Sequence, residues 1–193
     1  MVSKTREKFI EVARQLFARK GVENTTMNDI ASASDKGRRT IYTYFKSKRE
    51  IFNAVIETET DQILGHLRLI IAKPVSAEEK MRQYIAVRFD SMKETVGRNG
   101  SLRAGFFRDV RKVDRARRII SGKEIALLSE IIEEGVKQGD FRVCNVRHQS
   151  IMIIHALHGL VVPFIRDNLA EEGISQDLIK SYMADLVING IKS

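Results

Sequence analysis

Cysteine occurs once in this 193-residue chain, proline twice, and aromatic residues make up only 7% of it. The lone Cys144 excludes an internal disulfide and suits a reducing compartment; nothing around it supports a catalytic thiol, so a structural role is expected. With proline so scarce, runs of Leu, Ile, Ala, Glu, Lys and Arg at three-to-four spacing can continue unbroken, which predicts helices nearly throughout and no convincing strand pair. Long apolar runs are missing as well. The most apolar stretch, IMIIHALHGLVVPFI at 151–165, carries two histidines, a glycine and a proline and falls short of the roughly 18 residues of a spanning helix, so it reads as buried protein. MVSKTREKFI at the start lacks the apolar run of a secretory signal, from which a cytoplasmic location away from any membrane is expected. A glycine-rich phosphate loop, a His-Glu-x-x-His element and a Ser or Cys in a nucleophile pattern are all lacking, which argues against an enzyme and calls for no cofactor.

What the chain does have is enough apolar residue, 43%, for one sizeable core or a small core beside a larger one, together with a net charge of +8. That charge is unevenly placed. Residues 1–50 hold 12 Lys or Arg against 6 Asp or Glu, a net +6, leaving 21 against 19, a net +2, for the rest. Of the remainder, RKVDRARR at 111–118 carries five basic residues and one acid. This run is expected to be a solvated loop, with attraction of an acidic partner as its other reading. A basic head on a near-neutral body points to nucleic acid, because neutralising phosphates releases counterions. An anionic membrane would produce the same asymmetry, so the local pattern has to decide.

Within the head, residues 4–20 place Phe9, Val12, Ala13, Leu16 and Phe17 on one stripe of a helix that Gly21 stops. A second short helix follows in TTMNDIA, capped by Thr25 or Thr26, with Asp29 completing a capping box for Thr26. It is expected to end near Ser34. Asp35, Lys36 and Gly37 break it, and a third helix is predicted from about Arg38 to Phe45. At about 100° per residue, Ile41 and Phe45 share one side of this third helix, while Arg39, Thr40, Thr43 and Tyr44 share the other and Tyr42 stands at the seam. Apolar side chains therefore face the first two helices, and arginine, short hydroxyls and a phenol face outward. That outward chemistry suits base edges and thymine methyls in a major groove, whereas a membrane-binding face would show Leu, Phe or Trp.

LFARKGVENTT, then MNDIA, then TIYTYFKSKREIF, in register over about fifty residues, resemble the DNA-binding domain of the TetR (tetracycline repressor) family of bacterial transcriptional regulators. The chain departs from the family at the turn, where Ser34, Asp35, Lys36 and Gly37 replace the common Ala-Gly-Val-Ser and remove its apolar plug. The resemblance implies that Thr26, Tyr42 and Lys48 hold phosphates and that Arg38, Arg39, Thr40, Thr43 and Tyr44 read or line the groove. It also implies an all-α fold of about nine helices, with a helix-turn-helix domain at 1–47 and an effector-binding and dimerisation domain at 48–193.

Beyond the head, a long helix is predicted from Lys48 to about Ala72, ending before Pro74. Ser76 and Glu79 form a capping box for the next, with Met81, Tyr84, Ile85, Phe89, Met92 and Val96 at helical spacing. A short helix around Arg103 to Val110, another from about Lys123 to Lys137, and an apolar one over 147–166, covered on most sides and kinked or ended at Pro163, are expected next. Ser175 then caps a final helix. The last two helices are more apolar than a monomer needs, which predicts that they pair with a second copy as a four-helix interface, the usual dimer contact of the family. Two-fold symmetry would set two reading helices about 34–36 Å or a multiple apart, on a near-palindromic operator in double-stranded DNA. Tyr84, Phe89, Phe106, Phe107, His155 and His158 are candidates to line a small-molecule effector site, although residues at this spacing also make plain core. His155 and His158 lack a third ligand, so no metal site is expected. The expected function is a dimeric repressor released by an effector; an activator or a DNA-binding protein without an effector is the alternative.

Overall fold

The computed structural model describes residues 2–98 and 110–193, with side chains for 4–98 and 121–193. The positions of Phe106 and Phe107, and nearly all of the short helix expected around 103–110, lie outside the described residues. Eight α-helices run through the described chain: α1 Val2–Lys20, α2 Met27–Ala33, α3 Arg38–Tyr44, α4 Lys48–Ile71, α5 Ala77–Arg98, α6 Val110–Gln138, α7 Val146–Arg166 and α8 Gln176–Ile191, with a 3-10 turn at Ala170–Glu172. No strand occurs among the described residues; Phe141 and Lys192 form one isolated antiparallel bridge.

The helices sort into two compact units. Residues up to Asp61, with the described part of 94–117, make the first, and Gln62–Lys93 with Arg118–Ser193 make the second. This division falls inside α4 rather than at its start, so the opening turns of α4 belong by compactness with the three-helix head.

In the first unit, Phe9, Ala13 and Phe17 of α1, Ile30 of α2, Ile41 and Phe45 of α3 and its end, and Ile51 and Val55 of α4 close one buried cluster. At about 1.5–3 kcal/mol per large apolar side chain removed from water, this cluster holds three short helices that would not persist alone. Phe17 meets the edge of Phe52 at 6.0 Å between ring centroids. Gly21, at φ 83°, ends α1, and its amide donates to the Phe17 carbonyl at 3.0 Å.

The second unit takes Met81, Tyr84, Ile85 and Phe89 from α5, Leu128, Ile131 and Ile132 from α6, Ile153, Ile154, Leu157, Val161 and Phe164 from α7, and Ile179, Met183, Val187 and Ile188 from α8 into its interior. The α8 start is capped as expected, the Leu178 amide donating to Ser175 Oγ at 3.3 Å. Three expectations need correcting. The basic run 111–118 is not a loop but the opening of α6, since Arg, Lys and Ala are good helix formers and no breaker intervenes before Gly122. Of the two outcomes expected at Pro163, a kink or an end, the end does not occur: the helix continues to Arg166 and closes on Asp167 in the left-handed region at φ 56°. Finally, α7 is 21 residues long, enough by length and composition to cross a membrane, and it is not covered on most sides: a third of its apolar window is buried, while Met152, His155, Ala156 and Gly159 stand exposed.

Candidate nucleic-acid interface

The head presents its third helix through two local devices, both written in single residues. At the start of α2, Thr26 is the cap: its hydroxyl accepts the Asp29 amide at 3.1 Å, and the Asp29 carboxylate accepts the Thr26 amide at 2.8 Å. Thr25, the other possible cap, is buried and donates to the Gly21 carbonyl at 2.7 Å instead. Asp29 also receives Lys20 Nζ at 2.9 Å. The lysine and the two bonds from Thr26 hold its carboxyl down to about 2.

The turn between α2 and α3 is built by hydrogen bonding rather than by an apolar plug. Asp35 takes φ 54°, its amide donating to the Ser32 carbonyl at 3.0 Å while the Lys36 amide reaches back to Ala31 at 3.0 Å. That pair of bonds is a Schellman motif with aspartate where glycine is usual. Ser34 is buried and donates its hydroxyl to the Ile30 carbonyl at 2.7 Å, so a small polar residue fills the turn without leaving an unmet group. Gly37 precedes α3 in extended conformation and provides no side-chain cap.

On α3 the two faces separate as the spacing requires. Ile41 is fully buried and Phe45 nearly so, while Arg38, Arg39, Tyr42 and Thr43 are exposed and Thr40 is half-buried. Tyr42 is 43% exposed, and the Arg38 guanidinium stands 5.8 Å from its ring centroid. The Thr43 hydroxyl donates to the Arg39 carbonyl at 3.2 Å. Tyr44, expected to point outward, is instead half-buried, its ring tilted against Phe9 at 5.8 Å. The phenol ring offers more apolar area than a threonine does, and the gap beside Phe9 accepts it.

Thr26 is exposed at the start of α2, as a phosphate contact requires. Lys48, at the start of α4, has a second task that its position alone did not reveal. Its Nζ donates to the Val22 carbonyl at 2.6 Å and to the Glu23 carbonyl at 3.2 Å, tying α4 to the loop that follows α1. Lys36, Lys46 and Arg49 are also exposed in this basic segment and were not singled out from sequence; only the charge count pointed to them.

Three of the head's six acids pair with cations of α1. Glu11 pairs with Arg14, Asp29 with Lys20, and Asp35 with Lys8 at 3.1 Å. Neither Arg38 nor Arg39 enters an ion pair with a described residue. Two exposed guanidinium groups are thus left on the polar outer side of α3 without an acid from the described residues.

Residues 9–55 match the family model described as bacterial regulatory proteins, tetR family. Over nearly its whole length the chain is similar to the HTH-type transcriptional repressor NicS of Pseudomonas putida, at 26% identity over 205 residues, covering 98% of this chain and 93% of the repressor. The amino-terminal head is of the tetR-family kind. Among solved structures it is similar in fold to a transcriptional regulator from Cytophaga hutchinsonii, with a TM-score of 0.75 and 24% identity over 97% of this chain and 98% of the other. A similar fold, at a TM-score of 0.70 and 19% identity over 96% and 98% of the two chains, belongs to FadR from Bacillus subtilis, solved in complex with stearoyl-CoA. TetR-family proteins are DNA-binding transcriptional regulators and not enzymes.

The residues expected to line an effector site do not all share one environment. Tyr84 and Phe89 are fully buried, the Phe89 ring tilted against Phe164 at 4.8 Å between centroids. His158 is half-buried, with Nε2 3.3 Å from Glu124 Oε2. His155, its ring centroid 6.1 Å from that of His158, is exposed beside Met152. No group of three or more His, Cys, Asp or Glu that could hold a metal occurs among the described residues.

Proposed function

We propose that this protein is a homodimeric repressor that occupies a near-palindromic operator and leaves it when a small molecule binds in the second unit. The observation that carries the DNA-reading part is the division of α3: Ile41 and Phe45 are buried, and Arg38, Arg39, Tyr42 and Thr43 are exposed with neither arginine in an ion pair with a described residue. On this reading Thr26, Tyr42 and Lys48 contact phosphates, which sets register, while Arg39 and Thr43 meet base edges, with Arg38, Thr40 and Tyr44 at the groove wall.

Dimerisation is supported by an uncovered apolar stripe. Met152, Ala156 and Gly159 recur at helical spacing on the exposed side of α7, and Leu178, Tyr182 and Leu186 do so on α8; Met152 and Leu186 are each 68% exposed. Two small residues on α7 permit close helix approach, and two such faces meeting across a two-fold axis would bury what a single copy leaves wet. Release by an effector is supported by the interior aromatic cluster of the second unit and by the fold shared with a FadR crystallised with stearoyl-CoA. Helix α4 contributes residues to both units and is the proposed route of coupling.

Selection of bound fragments from a random duplex pool tests this directly. An inverted repeat with half-sites about one helical turn apart, or a multiple of it, is the expected product. An unrelated set of fragments with no shared half-site would refute operator recognition.

A further inference from the structure

Within the second unit, Tyr84 and Arg88 stand four residues apart on one face of α5, and both are fully buried. Arg88 Nε donates to Glu124 Oε1 at 2.9 Å, and Nη2 reaches Oε2 at 3.4 Å. From α7, His158 Nε2 lies 3.3 Å from Glu124 Oε2, and the Tyr84 hydroxyl donates weakly to the Glu124 carbonyl at 3.4 Å. Glu124 thus occupies one edge of the guanidinium. The remaining nitrogen, Nη1, is buried and has no hydrogen-bond partner, alone among the buried side-chain nitrogens of the described residues.

Stability does not account for this arrangement. A buried ion pair is commonly no better than apolar residues of the same volume, and an unmet donor on a charged group is a net loss. A site that is completed by a second molecule does account for it. We propose that Arg88 Nη1 is the recognition point for an effector that presents an uncharged carbonyl oxygen on an apolar body, an inference that rests on the effector-release reading above. Charge decides between head groups. Glu124 already balances Arg88, so a ligand carboxylate beside it would bring a second negative charge into apolar surroundings, where repulsion and desolvation both oppose it. A carbonyl oxygen satisfies the free N–H and leaves the balance unchanged. Ile85 and Phe89, neighbours of Arg88 on α5, are buried and apolar and suit the body of such a ligand.

The test uses the full-length protein and two probe bodies with matched heads: octanamide against octanoate, and phenylacetamide against phenylacetate. Binding is read by calorimetry, and release by fluorescence anisotropy of a selected operator duplex. At least one amide is expected to bind about tenfold or more tightly than its carboxylate partner, the scale of one hydrogen bond to a charged donor. In the paired variant R88M/E124L, which removes both charges together, that advantage is expected to vanish. Because the head-group comparison is made on unaltered protein, it stands whether or not the variant folds. Carboxylates binding as well as amides, an amide advantage that survives R88M/E124L, or no binding by any probe would each overturn the assignment. If carboxylates bind and release the DNA, effector control stands and the carbonyl assignment falls; if amides bind through Arg88 but leave the DNA complex intact, the assignment stands and effector release falls.

Discussion

Asp29 shows how much one side chain can do in a small head. It closes the capping box with Thr26 and receives Lys20, and its carboxyl is held down to about 2. A carboxyl whose folded value is depressed stabilises the folded state fully above its unfolded value, about 3.9, and loses that contribution as pH falls through the folded value. Asp29→Asn should therefore be less stable than the unaltered protein at neutral pH, and the gap should close between about pH 4 and about pH 2; chemical denaturation across that range checks it. In the second unit, Glu124 follows the same sign. Burial pushes its carboxyl up, but the Arg88 charge and the bonds from His158 and Arg88 outweigh burial and leave it below the ordinary carboxylate range. A different residue-scale constraint sits at Gly135 of α6. A Cβ there would meet the Phe141 ring at 2.2 Å, and Phe141 is itself buried. Gly135→Ala should destabilise the protein by about 1–3 kcal/mol, as overpacking of a closed core does, despite alanine's better helix propensity. Thermal unfolding that left the midpoint unchanged would show that Phe141 can swing aside.

At the scale of elements, the first three helices were legible to within a residue or two because their signals are local. Gly21 stops α1, Thr26 and Asp29 cap α2, and the alternation of Ile41 and Phe45 with hydroxyls and arginine writes both faces of α3 and its end into residues 38–45. The turn was less legible, since the Schellman bonds around Asp35 involve only backbone groups and any residue tolerant of positive φ can stand there. Tyr44 escaped the spacing argument for a related reason. Angular position on an ideal helix does not say which neighbour, here Phe9, has room for a ring. The opening of α6 reads as solvated loop by its charge, yet it is helical because Arg and Lys are good helix formers and charge alone does not break a helix. Lys48 was found for its charge, but its bonds to the Val22 and Glu23 carbonyls depend on a fold that brings residues 26 apart together. Likewise the Arg88–Glu124 pair spans 36 residues and left no local signature.

At the scale of the whole molecule, two DNA heads would be joined through the exposed stripes of α7 and α8. Leu186 is 68% exposed in a single copy, so Leu186→Lys should leave the monomer fold intact while bringing a charge into the dimer seam twice, once per subunit. Sedimentation velocity should find the unaltered protein dimeric and the variant at least about tenfold more dissociated; an unchanged dimer would place the interface elsewhere. Loss of the dimer should in turn weaken operator binding far more than binding to a single half-site. The central claim concerns the outward face of α3, and one measurement reaches it most directly: fluorescence anisotropy of Arg39→Ala and Tyr42→Ala against a selected operator and a random duplex, across a salt series. Arg39→Ala is expected to lose about 1–3 kcal/mol on the operator with little change on random DNA, and Tyr42→Ala to weaken both alike. Both variants binding operator and random duplex as the unaltered protein does, with the same salt slope, would contradict it.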